Sequence, residues 1–247
     1  MGWIVRSCYF NRAGSRRFTL ATAGKSSSSQ KDHQKEALMA VICPTVTASD
    51  AHEYRAQIER VSVFAKRIHI DLMDGELAPS RSINPVQVYW PPDVTTDIHL
   101  MYKRPLEHIE TLVSLHPHMV IIHAEAEGDL GGMVEHLHKF GIKVGLALLP
   151  DTSVESVGQL LTMVDHVLVF DGHLGYQGGT ADLSQLHKVA EIRAINQSVE
   201  ISVDGGVSVE NAKQIIEAGV DVLDVGGAIQ HADDPAAAYN ELVKVVA

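Results

Sequence analysis

The strongest constraint on the fold is a regular alternation of short apolar runs with amphipathic segments along most of the chain. Each apolar run has the length and the β-branched composition of a buried strand, and each segment that follows it has the apolar spacing of a helix. Eight such units fit between Leu38 and the last residue, Ala247. A chain with this pattern is predicted to form a parallel sheet covered by helices.

The alternation predicts an α/β protein made of a single (β/α)8 barrel, also called a TIM barrel, over residues 39–247. Strands are predicted at 38–46, 67–71, 96–100, 119–123, 143–148, 166–170, 200–203 and 220–225. Helices are predicted at about 49–66, 105–115, 132–140, 154–163, 181–195, 209–218 and 235–246, with a short segment at 85–90. A doubly wound open sheet is the alternative, but it would separate the polar residues that follow strands 2, 3 and 7.

The first 38 residues differ from the rest of the chain in charge. They hold seven Lys or Arg and two Asp or Glu, with a polar tract at Ser26–Ser29, whereas the whole chain has a net charge of −11. We expect residues 1–38 to be a disordered leader. It would be either an organelle transit peptide or the product of codons upstream of a start at Met39.

The composition limits the classes of partner and compartment. The acidic charge argues against a broad nucleic-acid interface, and no apolar run approaches the roughly 20 residues that a membrane-spanning helix needs. Cys8 and Cys43 fit neither a disulfide framework nor a metal motif, so we expect a reducing, cytoplasmic location unless residues 1–38 direct import. The apolar, His-rich segment 133–140 on an outer helix favours self-association into a homo-oligomer.

Three predicted strands end in side chains that are costly to bury. His69 and Asp71 share one face of strand 2 because side chains alternate, while His99 and Asp204 lie near the ends of strands 3 and 7. Two imidazoles and two carboxylates at one barrel mouth favour a divalent cation such as Zn, Mn, Fe or Co over Mg or Ca. The chain has 14 histidines, and we treat five of them as background: His108, His116, His118, His136 and His138.

The two carboxylates of this set also suit acid–base chemistry. If Asp71 and Asp204 face a small cavity from opposite sides, one can remove a proton from a carbon and the other can return it to the opposite face. Each such transfer contributes roughly 10²–10⁴ in rate. A cation beside them would polarise an adjacent carbonyl, so the combination indicates proton abstraction next to a ketone.

Glycine pairs follow the last two predicted strands. Gly205-Gly206 comes after strand 7 and Gly226-Gly227 after strand 8. Glycines at these loops let backbone N–H groups approach an anion, and this end of a barrel is a common phosphate site. The pairs would otherwise mark tight turns. The loop after strand 6, with Gly175, Gly178 and Gly179, would complete the phosphate site or form a lid.

From about Val41 to its end, the chain resembles the ribulose-phosphate 3-epimerase family of phosphate-binding barrels. The resemblance rests on six motifs in order: Pro44-Thr45, His69-Ile70-Asp71-Leu72-Met73-Asp74-Gly75, Asp97-Ile98-His99-Leu100-Met101, His123-Ala124-Glu125, Val203-Asp204-Gly205-Gly206 and Val225-Gly226-Gly227-Ala228-Ile229. It implies interconversion of D-ribulose 5-phosphate and D-xylulose 5-phosphate through an enediolate.

The resemblance also implies roles for individual residues. A divalent metal would be held by His69, Asp71, His99 and Asp204. Asp71 and Asp204 would carry the protons, Met73 and Met101 would line the cavity, and the glycine pairs would hold the phosphate.

Two departures from the family pattern concern the substrate. Thr45 stands where the family has Ser, which keeps the hydroxyl group and adds a methyl group. The family's usual Met-Thr-Val-Asn-Pro-Gly-Phe-Gly-Gly-Gln after strand 6 appears here as Phe170-Asp171-Gly172-His173-Leu174-Gly175-Tyr176-Gln177-Gly178-Gly179. Because such loops enclose the substrate while strand ends carry out the proton transfers, the altered loop leaves the identity of the sugar phosphate open.

Three functions therefore fit the sequence. The first is a metal-dependent 3-epimerase of a ketopentose phosphate, and the second is a 3-epimerase of another ketose phosphate, such as a ketohexose 6-phosphate. The third is a non-catalytic barrel that binds a sugar phosphate or a partner protein. The presence of all four predicted ligands favours the two enzymes.

Overall fold

The computed structural model describes residues 40–176 and 178–247, and the predicted leader at 1–38 lies outside them. Eight parallel strands form a closed barrel in chain order, and β8 pairs with β1. The strands are β1 Val41–Thr47, β2 Arg67–Met73, β3 Thr95–Met101, β4 Met119–His123, β5 Lys143–Leu148, β6 His166–Phe170, β7 Glu200–Asp204 and β8 Val222–Val225. The predicted (β/α)8 barrel is confirmed.

Helices surround the barrel and follow the strands. They are α1 Ala51–Ser62, α2 Ile109–Leu115, α3 Leu130–Lys139, α4 Gly158–Leu161, α5 His187–Ile195, α6 Val209–Glu217, α7 Gly227–Gln230 and α8 Pro235–Val246. Short 3-10 turns occupy Pro85–Gln87, Pro105–His108, Glu155–Val157 and Leu183–Leu186. None of the helices in 40–176 and 178–247 combines the length and the apolar character that crossing a bilayer requires.

Helix ends follow local chemistry. Asp50 caps α1, since its side chain accepts hydrogen bonds from the backbone N–H groups of His52 and Glu53, as expected for an N-cap. The helix ends at Ser62, earlier than the predicted 66, because the chain must turn before β2. The helix predicted at 154–163 is reduced to a 3-10 turn and the four-residue α4, where two β-branched valines and Gly158 weaken helix formation.

The strands bury both of their faces, which explains their nearly continuous apolar sequences. Outward side chains such as Ile68, Ile70 and Leu72 of β2 are completely buried beneath the helices. Inside the barrel, a separate apolar cluster contains Met119, Ile121, Ala147, Leu168 and Phe170, which come from β4, β5 and β6. The interior positions of β2, β3, β7 and β8 carry most of the polar groups, so the site lies toward that side.

An ion-pair network closes the amino end of the barrel. The Arg67 guanidinium donates to both carboxylate oxygens of Glu200 at 2.8 Å and 2.7 Å, and its Nε donates to Asp97 at 2.6 Å. Asp97 is 2% exposed. The network joins β2, β3 and β7 at the end opposite the polar strand ends, and bidentate pairs of this kind are geometrically specific.

We predict that Arg67→Ala lowers the free energy of unfolding by about 3–5 kcal/mol, because it leaves the buried Asp97 carboxylate without its cation. Arg55→Ala is the matched control, since Arg55 pairs with Glu59 at the surface and should change stability by no more than about 1 kcal/mol. Urea denaturation of both variants measures the difference. Equal losses in the two variants would contradict a structural role for the network.

Candidate active site

A cavity of ≈ 310 Å³ opens at the carboxyl ends of the strands. The two predicted catalytic carboxylates, Asp71 and Asp204, line it. So do all the residues predicted to contact substrate: Thr45, Met73, Met101, Gly175, Gly178, Gly205, Gly206, Gly226 and Gly227. The structure therefore brings together residues from six of the eight strand ends or the loops that follow them. The five background histidines do not line this cavity.

The predicted metal ligands lie together at the floor of the cavity: Asp71 and Asp204 line it, and His69 and His99 are completely buried beneath it. Asp71 and His99 are direct partners in the β2–β3 ladder, so both side chains point into the barrel side by side. His99 Nδ1 lies 3.0 Å from Asp71 Oδ1 and 3.8 Å from Asp204 Oδ2, and His69 Nε2 lies 3.2 Å from Asp71 Oδ1. One ligand atom from each of the four residues lies within 4.8 Å of the others.

His69 lies beneath the cavity and is completely buried. Its Nδ1 is 3.3 Å from Asp224 Oδ1, yet neither ring nitrogen has a partner with good hydrogen-bond geometry among the described residues. Buried polar atoms in folded proteins are usually satisfied. An imidazole in this position is suited to hold a further group, and the neighbouring atoms are those of the predicted metal ligands.

Opposite pKa shifts separate the two carboxylates. Burial alone would raise the pKa of Asp71, but the close contacts with the imidazoles of His69 and His99 outweigh burial and lower it well below the usual range. The pKa of Asp204 is raised well above its usual range, first by burial and then by the negative charge of Asp71. Two acids shifted apart in this way suit complementary roles as base and acid.

The two buried imidazoles are also shifted apart. Burial opposes the charged form of His69, but the carboxylates of Asp224 and Asp71 together outweigh it and raise the pKa. Burial lowers the pKa of His99 to about 4, with a further contribution from the neighbouring His123. A neutral imidazole at His99 keeps a lone pair available on one ring nitrogen.

Residues that sequence reasoning did not assign surround this floor. Thr47 donates its hydroxyl hydrogen to Asp71 Oδ2 at 2.6 Å, and Asp224 lies behind His69. His123 Nε2 lies 2.9 Å from His99 Nε2. The signal for Asp224 was present, since it is an acid inside the apolar strand Val222–Val225, whereas nothing in the sequence distinguishes the Thr47 hydroxyl from others at strand ends.

The glycines close the rim by allowing three loops to touch. Gly205 and Gly206 have φ values of +115° and +68°, and a Cβ at either position would collide with the backbone of the loop after β6. A Cβ on Gly227 would lie 3.2 Å from Gly178 Cα. Only glycine allows this close backbone approach at Gly205 and Gly206 without strain.

The loop after β6 contains a buried acid without a partner. Asp171 is 2% exposed, and neither of its carboxylate oxygens has a hydrogen-bond partner among the described residues. The backbone of Asp171 is hydrogen-bonded on both sides. Its N–H donates to the carbonyl of Asp204 at the end of β7, and its carbonyl accepts from the N–H of Asp182. Burial, followed by the charge of Asp182, raises the pKa of Asp171 to about 7.

Comparisons with known proteins show which family the chain is similar to. The model of the "Ribulose-phosphate 3 epimerase family" matches residues 41–230. A "Ribulose-5-phosphate-3-epimerase, chloroplastic" from Arabidopsis thaliana is 30% identical over 216 residues, which are 83% of this chain and 75% of that protein. A "Ribulose-phosphate 3-epimerase" from Helicobacter pylori is 32% identical over 211 residues, which are 83% of this chain and 97% of that protein.

Solved structures share the fold at much lower identity. The 3-hexulose-6-phosphate synthase from Salmonella typhimurium superposes with a TM-score of 0.64 at 16% identity, covering 83% of this chain and 98% of that one. At this identity the likeness concerns the barrel alone.

We predict that Asp171→Asn changes how stability depends on pH. The folded protein binds the Asp171 proton more tightly than the unfolded chain does. The contribution of this proton to the free energy of unfolding is therefore complete below about pH 4 and is lost as the pH rises through about 7. Asparagine imitates the protonated acid, so the variant should gain roughly 2 kcal/mol relative to wild type at pH 8 and little at pH 4.

Urea denaturation at both pH values measures this difference, with the exposed Asp93→Asn as a matched control. A variant that is less stable than wild type at pH 8 would show that the Asp171 carboxylate is needed in its charged form.

Proposed function

The chain belongs to the ribulose-phosphate 3-epimerase family of isomerases, and we propose that it interconverts D-ribulose 5-phosphate and D-xylulose 5-phosphate. One observation carries the proposal. Asp71 and Asp204 reach the same cavity from β2 and β7, and their pKa values are shifted in opposite directions. This arrangement suits removal of a proton from one face of a carbon and its return to the other face.

The side chains on the cavity floor fit a divalent metal. The donor set of two imidazoles and two carboxylates is close enough to share one ion, and the buried nitrogens of His69 lack other partners among the described residues. His69, Asp71, His99 and Asp204 would hold the ion, and Zn, Mn, Fe or Co suits this donor set. A bound ion of this kind polarises the substrate carbonyl and stabilises negative charge on the adjacent oxygens.

The carboxylates carry out the proton transfers. Asp71 and Asp204 reach the bound sugar from β2 and β7, so one accepts the proton of C3 while the other gives a proton to the opposite face. Removal of the C3 proton gives an enediolate, and its reprotonation by the other acid inverts C3. In the reverse direction the two residues exchange roles. Thr47 keeps Asp71 in place through its hydroxyl hydrogen bond.

The rest of the cavity is suited to the sugar and its phosphate. Backbone groups of the glycine loops can approach an anion closely, and no Lys or Arg is among the described residues that line the cavity. The phosphate would therefore be held mainly by backbone N–H groups around Gly206, Gly226 and Gly227. The buried hydroxyl of Thr45 has no hydrogen-bond partner in the described part of the chain and is available for the sugar.

A 3-epimerase of a ketohexose 6-phosphate is the second candidate, and the loop after β6 favours it. Gly175, Tyr176 and Gly178 of this loop line the cavity, and Tyr176 is 67% exposed. A loop that differs from the family pattern at the wall of the cavity can change which sugar fits. The chemistry at Asp71 and Asp204 would be the same for both substrates.

We predict that the protein catalyses incorporation of deuterium at C3 of D-ribulose 5-phosphate in heavy water, together with conversion to D-xylulose 5-phosphate. Asp204→Asn should lower the rate by about 10²–10⁴ because it removes one of the two proton carriers. Asp93→Asn is the control, since Asp93 is an exposed acid near the amino end of β3, and its rate should equal that of wild type. NMR follows both the isotope and the conversion.

The outcome separates the three functions that fit the sequence. Exchange with a ketohexose 6-phosphate alone would replace the substrate and keep the mechanism. Binding of sugar phosphates without exchange would contradict the assignment as an enzyme. Full activity of Asp204→Asn would contradict the role of the second carboxylate.

We further predict that activity depends on a bound divalent metal. Dialysis against a chelator, checked by elemental analysis, should abolish C3 exchange, and one equivalent of Zn, Mn, Fe or Co should restore it. Metal-free protein with full activity would exclude this role of the four ligands while leaving the two-carboxylate mechanism open.

A further inference from the structure

A chain of polar groups extends behind His99, buried at His123 and half-buried at Glu125. His99 Nε2 lies 2.9 Å from His123 Nε2, and His123 Nδ1 lies 3.2 Å from Glu125 Oε2. The other oxygen, Oε1, accepts hydrogen bonds from Leu149 N–H at 3.0 Å and from the Thr152 hydroxyl. His99 and His123 are completely buried.

The geometry of the two rings is that of an in-plane hydrogen bond. Their planes differ by 22° and their centroids are 5.0 Å apart. With the two Nε2 atoms only 2.9 Å apart, the nitrogens must lie nearly on the line between the centroids, where an N–H group or a lone pair points. One of the two nitrogens therefore carries a proton and the other accepts it.

Counting protons gives the direction of the chain. The two rings make three close contacts: Asp71 with His99, His99 with His123, and His123 with Glu125. A cation bound beside Asp71 and Asp204 takes the Nδ1 lone pair of His99, so the ring proton of His99 lies on Nε2 and His123 Nε2 accepts it. Glu125 is an ionised acceptor, since its hydrogen bonds outweigh burial and lower its pKa to about 2. A proton on His123 Nδ1 satisfies this carboxylate.

The remaining positions follow from that proton. With Nδ1 protonated, neutral His123 accepts at Nε2, so His99 must donate from its own Nε2. His99 Nδ1 is then left as a lone pair beside Asp71 Oδ1 and Asp204 Oδ2. The two carboxylate oxygens and this lone pair then face each other with no proton between them. A cation completes such a site.

We propose that His123 and Glu125 are positioning residues, which fix His99 in the tautomer whose Nδ1 lone pair faces the divalent cation. This inference rests on the proposed metal site. Outer partners of this kind hold ligating imidazoles in many metal sites and typically contribute 10- to 100-fold in metal affinity.

Glu125→Gln gives the sharpest test because it changes the preferred tautomer with little change in shape. The Gln carbonyl can keep the bonds from Leu149 and Thr152, and its NH₂ group then faces His123 Nδ1. The proton of His123 would then lie on Nε2, and the proton of His99 would lie on Nδ1, where the cation should bind. Glu127→Gln is the matched control, because Glu127 is exposed and pairs only with Lys103.

The affinity for Co²⁺ is measured on the metal-free full-length protein from its visible absorption, without any substrate. We expect Glu125→Gln to weaken Co²⁺ binding about 10- to 100-fold and Glu127→Gln to leave it within about 2-fold. Thr152→Val removes the hydroxyl from the other oxygen and should also leave it near wild type, which separates the tautomer from general loosening. Co²⁺ binding by folded Glu125→Gln with wild-type affinity would overturn the proposal.

A second measurement on the wild-type protein does not depend on any variant. Long-range ¹H–¹⁵N spectra of the Zn²⁺-loaded protein should show His123 protonated on Nδ1 and His99 protonated on Nε2. A proton on His123 Nε2 instead would overturn the inference even if the protein is an active epimerase. Loss of epimerase activity with these tautomers in place would count against the proposed function alone.

Discussion

The site depends on one buried negative charge. Asp71 stands between two completely buried imidazoles, and it is satisfied by the Thr47 hydroxyl on its other oxygen. An unpaired carboxylate in such a place would be very costly, so the surrounding groups must stay in position for the fold to be stable. The charge of Asp71 in turn raises the pKa of Asp204. Burial and the charge of Asp71 together therefore favour the protonated form of the second carboxylate.

The barrel makes this arrangement possible because it separates rigid strand ends from variable loops. His69, Asp71 and His99 lie within paired strands, where the ladder fixes their relative positions. The glycine loops, by contrast, touch each other through backbone atoms and shape the rim. Barrels in which the strand ends stay the same while the loops differ can use one reaction on different substrates.

Much of the fold and of the floor could be predicted from the sequence, since period-two alternation places His69 and Asp71 on one face and barrel closure brings Asp204 to them. Contacts between different strands could not be predicted in the same way. That His123 faces His99, or that Asp224 lies behind His69, depends on side-chain directions inside the closed barrel. The leader at 1–38, the homo-oligomer and the cytoplasmic location stay predictions.

We propose that Asp71 and Asp204 act on opposite faces of one sugar carbon. A crystal structure of the protein with its divalent metal and a bound ketopentose phosphate tests it most directly. We expect C3 to lie between the two carboxylates, with one oxygen of each about 3–3.5 Å from it on opposite faces. Both carboxylates on the same face of the sugar, or C3 bound away from Asp204, would contradict the account.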